Sequence, residues 1–311
     1  MSDETETLPQ LALEDWEPTK DTLHLYAQIV GKIRLASTPL ANHWWNVPLY
    51  VTVRGLTTRR MRHNGVSFEI DFDFLDHQLI VRTDRGARER LLLVDGLSVA
   101  AFSRELFALL ATRGIRPEIR ALPFGVPMTT PFRDDEEHAS YDAAMVERFW
   151  RVLSFADWVF NEFAGWYCGK QSPVHVFWHS FDLAVTRFSC RRAPVSESAD
   201  PVSREAYSHE VISFGFWAGD KTVRHPAFYS YTAPEPAGLM EEPLRPPGAH
   251  WARPYGSSTF ATLDYDDVRG SADPRRALLE FLQSAYEAGA RRAGWDTEAF
   301  ASSSAPRPEE I

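Results

Sequence analysis

VSFEIDFDF, residues 66–74, alternates strictly: Val66, Phe68, Ile70, Phe72 and Phe74 take one face, and Glu69, Asp71 and Asp73 the other. A strand of this kind buries one side, as in an antiparallel sheet with helices on one face. Leu75-Asp76-His77 turns the chain into QLIVRT, and Asp84-Arg85-Gly86 turns it again toward ERLLLV, so a run of hairpins is expected. Upstream, residues 44–54 read as a strand made irregular by Pro48, which has no N–H for the ladder. Before it, residues 21–36 read as a helix with one apolar stripe: Leu23, Tyr26, Ala27, Val30 and Ile33. Lys32 and Arg34 near its C-terminal end suit the helix dipole; the alternative reading is that either meets an anionic ligand. Downstream, Ser98 is placed to cap a helix that packs through Val99, Phe102, Leu106, Leu109 and Leu110 and stops near Gly114. PEIRAL, residues 117–122, reads as one more extended run.

The same order of elements then returns. A long helix from Tyr141 to about Cys168 precedes strand-like runs in 169–192 (GKQSPVHVFWHSFDLAVTRFSCRR), YSHEVISFGFW, AFYSYT and STFATLDYDD, and Asp273-Pro274 opens a last helix. At one constant displacement Trp44 meets Phe177, Trp45 meets Trp178, Val51 meets Ala184 and Arg54 meets Arg187. Further on Ser67-Phe68 resembles Ser213-Phe214, Thr83 falls over Thr232, and the two halves close with Gly114-Ile115 and Gly294-Trp295. The expected fold is therefore α+β: two related antiparallel β-sheet units flanked by long helices, a pseudo-twofold internal duplication. The expected boundaries are an N-terminal α+β unit over 1–122, an exposed connection over 123–140, a C-terminal α+β unit over 141–300 and a disordered tail over 301–311. The two units stand either apart or as one compact domain. Met1 to Gln10 are expected to be loosely ordered.

Bulk composition removes several classes of function. With 43 acidic against 33 basic side chains the formal charge is −10, which argues against a nucleic-acid partner. Cys168 and Cys190 supply neither a disulfide framework nor a thiolate metal site. The acidic start MSDETETLPQ is no signal peptide, and no apolar run reaches about 18 residues, so a cytoplasmic protein without a membrane partner is expected. Ten Trp and 20 Phe point first to aromatic core packing. Walker, dinucleotide-glycine and GxSxG motifs are lacking, so no cofactor is specified, and oligomeric state is left open.

The chemistry-bearing residues cluster late in the chain. His175 and His179, with Asp182 or with His209 and Glu210, are candidate ligands for a divalent metal, although HVFWH falls in a predicted strand rather than on an HExxH helix. His138, beside the carboxylates of RDDEEHAS, is a further metal candidate. In an acid–base reading His179 or His175 moves a proton while Asp182 or Glu210 orients it. A buried, hydrogen-bonded histidine and an Asp–Arg pair are the structural alternative. In the binding reading, Arg187 and Lys170 receive an anion while His209 and Tyr229 line the same pocket, expected between the halves. Small-molecule binding, of an anionic ligand in particular, is the favoured function. The alternatives are a hydrolase or lyase using histidine and carboxylate or a divalent metal, and a purely structural or protein-interaction role.

Five blocks, LALEDWEPTKDTLHLYAQIVGKIRLA, NHWWNVPLYV, SPVHVFWHSFDLAVTRFSCRRAP, REAYSHEVISFGFWAG and FLQSAYEAGARRAGW, resemble the diagnostic segments of the bacterial domain-of-unknown-function family numbered 5996. The resemblance covers roughly residues 8 to 300 and brings no established activity with it. At His179 and Cys190 the chain departs from the small residues of the family pattern, so neither is expected to serve a role common to the family.

Overall fold

The computed structural model describes residues 7–194, 199–256 and 258–303. Helix α1 (Glu17–Ser37) leads into β1 (Tyr50–Thr52), β2 (Gly55–Thr57), β3 (Met61–His63), β4 (Val66–Asp73), β5 (Gln78–Thr83) and β6 (Arg88–Leu92), and α2 (Val99–Thr112) follows. Helix α3 (Ala143–Gly165) then leads into β7 (His175–Phe177), β8 (Asp182–Arg192), α4 (Pro201–Ala206), β9 (His209–Trp217), β10 (Ala227–Ala233), β11 (His250–Ala252), β12 (Phe260–Asp264), α5 (Tyr265–Arg269) and α6 (Pro274–Arg292). Among the described residues these strands make two six-stranded antiparallel sheets flanked by long helices, the expected α+β class.

Both sheets are built around a meander. In the first, ordered β1-β2-β4-β5-β6, strands β2 and β3 pair with successive stretches of β4 and act as one strand broken at residues 58–60. In the second, ordered β11-β12-β10-β9-β8-β7, strand β12 lies beside β10 and displaces β11, which belongs to the Pro-rich excursion, to the edge. The helices after the sheets end alike. Gly114 and Gly294 take left-handed φ of 75° and 63°. Ile115 N–H then reaches back to Leu110 O at 3.1 Å and Trp295 N–H to Ala290 O at 2.9 Å, the Schellman closure that brings an apolar residue back under its helix.

The described residues form two compact units. The N-terminal unit holds residues 14–150 and 175–182; the C-terminal unit holds 7–13, 151–174 and 183–303. In the N-terminal unit the alternation of 66–74 is realised: Phe68, Ile70, Phe72 and Phe74 are buried, and Tyr26 of α1 stacks on Phe102 of α2 at 4.0 Å. In the C-terminal unit Phe214 and Phe228 meet Phe163 and Phe160 of α3 at 4.9 and 6.3 Å.

Several local expectations change. The extended run over 117–122 does not form, and the strand expected over 44–54 shrinks to β1 after a tight turn in which His43 and Trp44 have φ of 54° and 60°. Residues 123–140 are more than an exposed connection. Phe132 and Asp135 are buried, and the Asp135 carboxylate accepts the N–H of Glu137 and His138 at 3.2 and 3.1 Å and pairs with His138 Nδ1 at 2.9 Å. Asp135 O also accepts Ala100 N–H at 2.9 Å, which docks the segment on the first turn of α2. At the N-terminus Leu8 is buried and Tyr265 donates to Pro9 O at 2.7 Å, so residues 8 and 9 are held; residues 1–6 of the expected loose segment lie outside the described residues. At the other end Ser302 N–H donates to Trp166 O at 3.0 Å, and residues 304–311 of the expected tail also lie outside.

Candidate functional site

The break between β2 and β3 is built by Thr58. Its N–H donates to Ile70 O and its hydroxyl accepts Ile70 N–H, both at 2.9 Å, while the hydroxyl donates to Arg59 O at 2.9 Å. Arg59 is left at φ 54°, a left-handed conformation that costs a residue with a Cβ about 1 kcal/mol or more and that concentrates at working sites. The break brings two arginines to one ring. The exposed Arg59 guanidinium lies 3.4 Å over the Tyr50 ring centroid, and Arg34, from the last turn of α1, donates to Thr58 O and stands 5.7 Å from that ring. Arg34 is buried, its Nε has no partner, and burial lowers its pKa against an opposing pull from Tyr50.

His175 completes this group. It is 0% exposed, packs edge-on to Tyr50 at 6.2 Å and to Phe177 at 4.5 Å, and neither ring nitrogen has a partner. Burial, reinforced by Arg59 and Arg34, pushes its pKa down to about 3, so the ring is neutral at physiological pH. Its strand is fixed by the paired bonds between Leu49 and Val176, 2.9 and 2.8 Å. Among the described residues no carboxylate lies within ion-pair distance of Arg34 or Arg59.

A second group lies on α1. The sequence assigned that helix a single apolar stripe, yet His24, Gln28 and Lys32, one turn apart, are buried as well, because residues 124 and 178–181 cover that face. Gly31 makes the cover close: a Cβ there would stand 2.1 Å from the Trp178 ring. His24 Nε2 donates to Trp178 O at 3.0 Å and its ring stacks on Phe181 at 4.9 Å; burial, then Lys20, pushes its pKa down to about 3. Gln28 clamps the backbone of Phe124 through both amide atoms, at 2.8 and 2.9 Å. Lys32 Nζ sits 5.4 Å over Trp178 and 6.0 Å over Phe124. His179 borders the same two rings at 5.9 and 6.1 Å; burial lowers its pKa, against Asp182, which accepts the Ser180 hydroxyl. Phe177 lies beside both His175 and His179, at 4.5 and 5.4 Å. Alanine at Gly31 gains about 1 kcal/mol of helix propensity but must expel an indole, a loss of about 3 kcal/mol. A net loss of about 2 kcal/mol is expected in urea denaturation, and an unchanged or raised midpoint would refute this packing.

The remaining candidates belong to the C-terminal unit and do not converge. Arg187 turns to the helices, with its guanidinium 3.6 Å from the Phe163 ring and 4.4 Å from Tyr286, and donates to Phe163 O at 2.6 Å. Glu210 accepts from Ser189 at 2.9 Å, Arg191 at 2.7 Å and Trp295 at 3.0 Å, a closed network. Tyr229 lies on the opposite face of the sheet from Arg187, against Gly215 and 4.9 Å from Trp217, so the expected gathering of Arg187 with Tyr229 does not occur. His209 pairs with Ser208 Oγ at 3.1 Å, and Lys170 lies 5.0 Å over the Phe188 ring. Among the described residues no three His, Cys, Asp or Glu side chains are placed to hold a metal ion, and no helix is long and apolar enough to cross a membrane.

The model of the Family of unknown function (DUF5996) matches residues 8–302. The chain belongs to this family. No curated protein and no solved structure matches it. In this DUF5996 chain the sequence marked His175, His179, Asp182, Lys32 and Arg34, and the structure groups them in one unit. It missed Tyr50, Arg59, His24 and Gln28. The four-residue spacing of His24, Gln28 and Lys32 was a legible signal for a polar helix face; nothing near Arg59 announced a left-handed residue.

Proposed function

We propose that the protein binds a small anionic molecule in its N-terminal unit, through Arg34, Arg59 and His175 around Tyr50. One observation carries this: among the described residues, a buried arginine without a counter-charge stands beside a fully buried histidine whose two nitrogens have no partner. A buried unpaired cation costs several kcal/mol and each unsatisfied polar atom about 1–3 kcal/mol, and a carboxylate or phosphate group relieves both at once. Its oxygens accept from Arg34 Nε, from the Arg59 fork and from the N–H of neutral His175, while Tyr50 and Phe177 cover the apolar part. A cytoplasmic setting agrees with this chemistry, and the repeated strand order and helix closures support an internal duplication as the origin of the two sheets. An acid–base reading draws on the His179–Asp182 neighbourhood.

The test compares phosphate, sulfate and citrate with sodium chloride at equal ionic strength, by thermal shift and then by calorimetric titration. At least one oxyanion is expected to raise the melting temperature beyond the chloride effect. Arg59→Gln is expected to weaken that anion about 10-fold or more, the loss of a charge-assisted bond of about 1.5–3 kcal/mol, without changing the melting temperature of the free protein. Oxyanions that act no differently from chloride would sink the proposal.

A further inference from the structure

We infer that Lys32 is a nucleophilic amine that condenses with small aldehydes or ketones, and that His179 moves the protons of that condensation. The inference is independent of the anion site. Lys32 is 8% exposed, lies over the faces of Trp178 and Phe124, and among the described residues has no carboxylate or hydrogen-bond partner. Lys20, equally buried, holds its ammonium against an acid, Asp21 at 2.8 Å. Lys32 has instead two rings and, as its charged neighbour, Arg120. Desolvation first, then Arg120, lowers its pKa, which raises the share of free amine at neutral pH; an apolar wall and a nearby cation are the usual means of activating a lysine toward carbonyls.

His179 occupies the right neighbourhood for the accompanying proton transfers, since it borders the same two rings as Lys32. Burial keeps it neutral, and Asp182 lies close enough to pull its pKa the other way. The Nζ lone pair attacks the carbonyl carbon, a C–N bond forms, and the π pair moves to oxygen. The nitrogen gives up a proton and the oxygen gains one, through His179. The resulting hydroxyl departs as water, with a second proton from the nitrogen, as the lone pair closes the C=N bond. Amine and carbonyl yield imine and water, and no oxidant or reductant enters. The carbonyl compound must be small and partly apolar, since it lies between indole and phenyl faces.

The probe is propanal with sodium cyanoborohydride, which reduces any imine to a stable secondary amine, applied to the full chain at neutral pH and read by peptide mass mapping. Modification at Lys32 is expected to outrun that at Lys20, Lys170 and Lys221 at least 10-fold. Lys32→Arg is expected to abolish the fast adduct with an unchanged circular dichroism spectrum. His179→Asn is expected to slow it several-fold and to flatten its pH profile. Equal labelling of the lysines, or a Lys32 slower than Lys221, overturns the inference in the wild-type protein, whatever the variants do. A His179→Asn rate and pH profile equal to wild type overturns the proton-transfer role.

Discussion

Lowering the pH from 6.5 to 5 is expected to remove about 3 kcal/mol of folding stability, read as a fall in the urea midpoint. His24 and His175 are buried, and burial holds both near a pKa of about 3, against 6.5 in the unfolded chain. Between these values the unfolded chain binds protons that the folded chain refuses, so acid favours unfolding. At pH 5 each histidine accounts for about 2 kcal/mol, and the loss continues until the folded-state pKa is reached. Above about pH 7.5 neither histidine contributes to pH dependence. Carboxylates such as Asp73, whose pKa is lowered through Arg54 and backbone N–H groups, act only below about pH 4 and so do not overlap the upper part of this window. His175→Phe is expected to remove about 1.5 kcal/mol of the loss between pH 6.5 and 5; His179, its pKa also lowered by burial, adds to the loss in the same sense. A flat stability profile over that range would show that the rings are hydrated in solution. The anion site leads to a related outcome: an oxyanion beside His175 favours its protonated form, so a saturating ligand should move the acid transition to lower pH.

Arg187 will respond very unequally to two substitutions. It is 1% exposed among Phe163, Tyr167, Phe214 and Tyr286, without a carboxylate among the described residues, and burial pushes its pKa down to about 9. Arg187→Ala leaves a cavity, removes the stacked guanidinium and takes from Phe163 O one of its two donors, the other being Trp166 N–H, an expected cost of about 3–5 kcal/mol. Arg187→Met keeps most of the volume and relieves the cost of a buried charge, so a change within about 1 kcal/mol, of either sign, is expected. Equilibrium unfolding of both variants decides the matter. If methionine proves as damaging as alanine, the guanidinium is recognising something that volume cannot replace, and Tyr286 Oη and Gln171 Oε1, both buried without partners, name the place to look.

The fold was legible where the signal was local. The alternation of 66–74 produced the buried face of β4, Ser98 and Asp273 cap their helices through Ala101 N–H and Arg276 N–H at 3.1 and 3.0 Å, and the glycines at 114 and 294 end theirs. The strand read over HVFWH stops at Phe177, and the turn that follows leaves Phe181 at φ 57°. The site was only half legible, because its parts become neighbours through contacts distant in sequence. Lys32 and Arg34 looked like ordinary ends of a helix until residues 124 and 178–181 covered one side of α1 and the Thr58 break supplied the other arginine. Arg187 carried the opposite lesson: a charged residue in an aromatic strand suggested a ligand, and the structure supplies four aromatic rings.

The membership of the units also has a bearing on synthesis. Residues 14–150 leave the ribosome well before 175–182, which belong to the same compact body and bring Val176 to Leu49 and Trp178 to Gly31. Until then the Leu49 N–H lacks its acceptor and the face of α1 lacks its indole. The other body has the mirror problem, since residues 7–13 emerge first and must stay available until Tyr265 arrives to claim Pro9. A nascent chain halted near residue 122 is therefore no independent half, but an unfinished body in which His24, Gln28 and Lys32 still lack their cover.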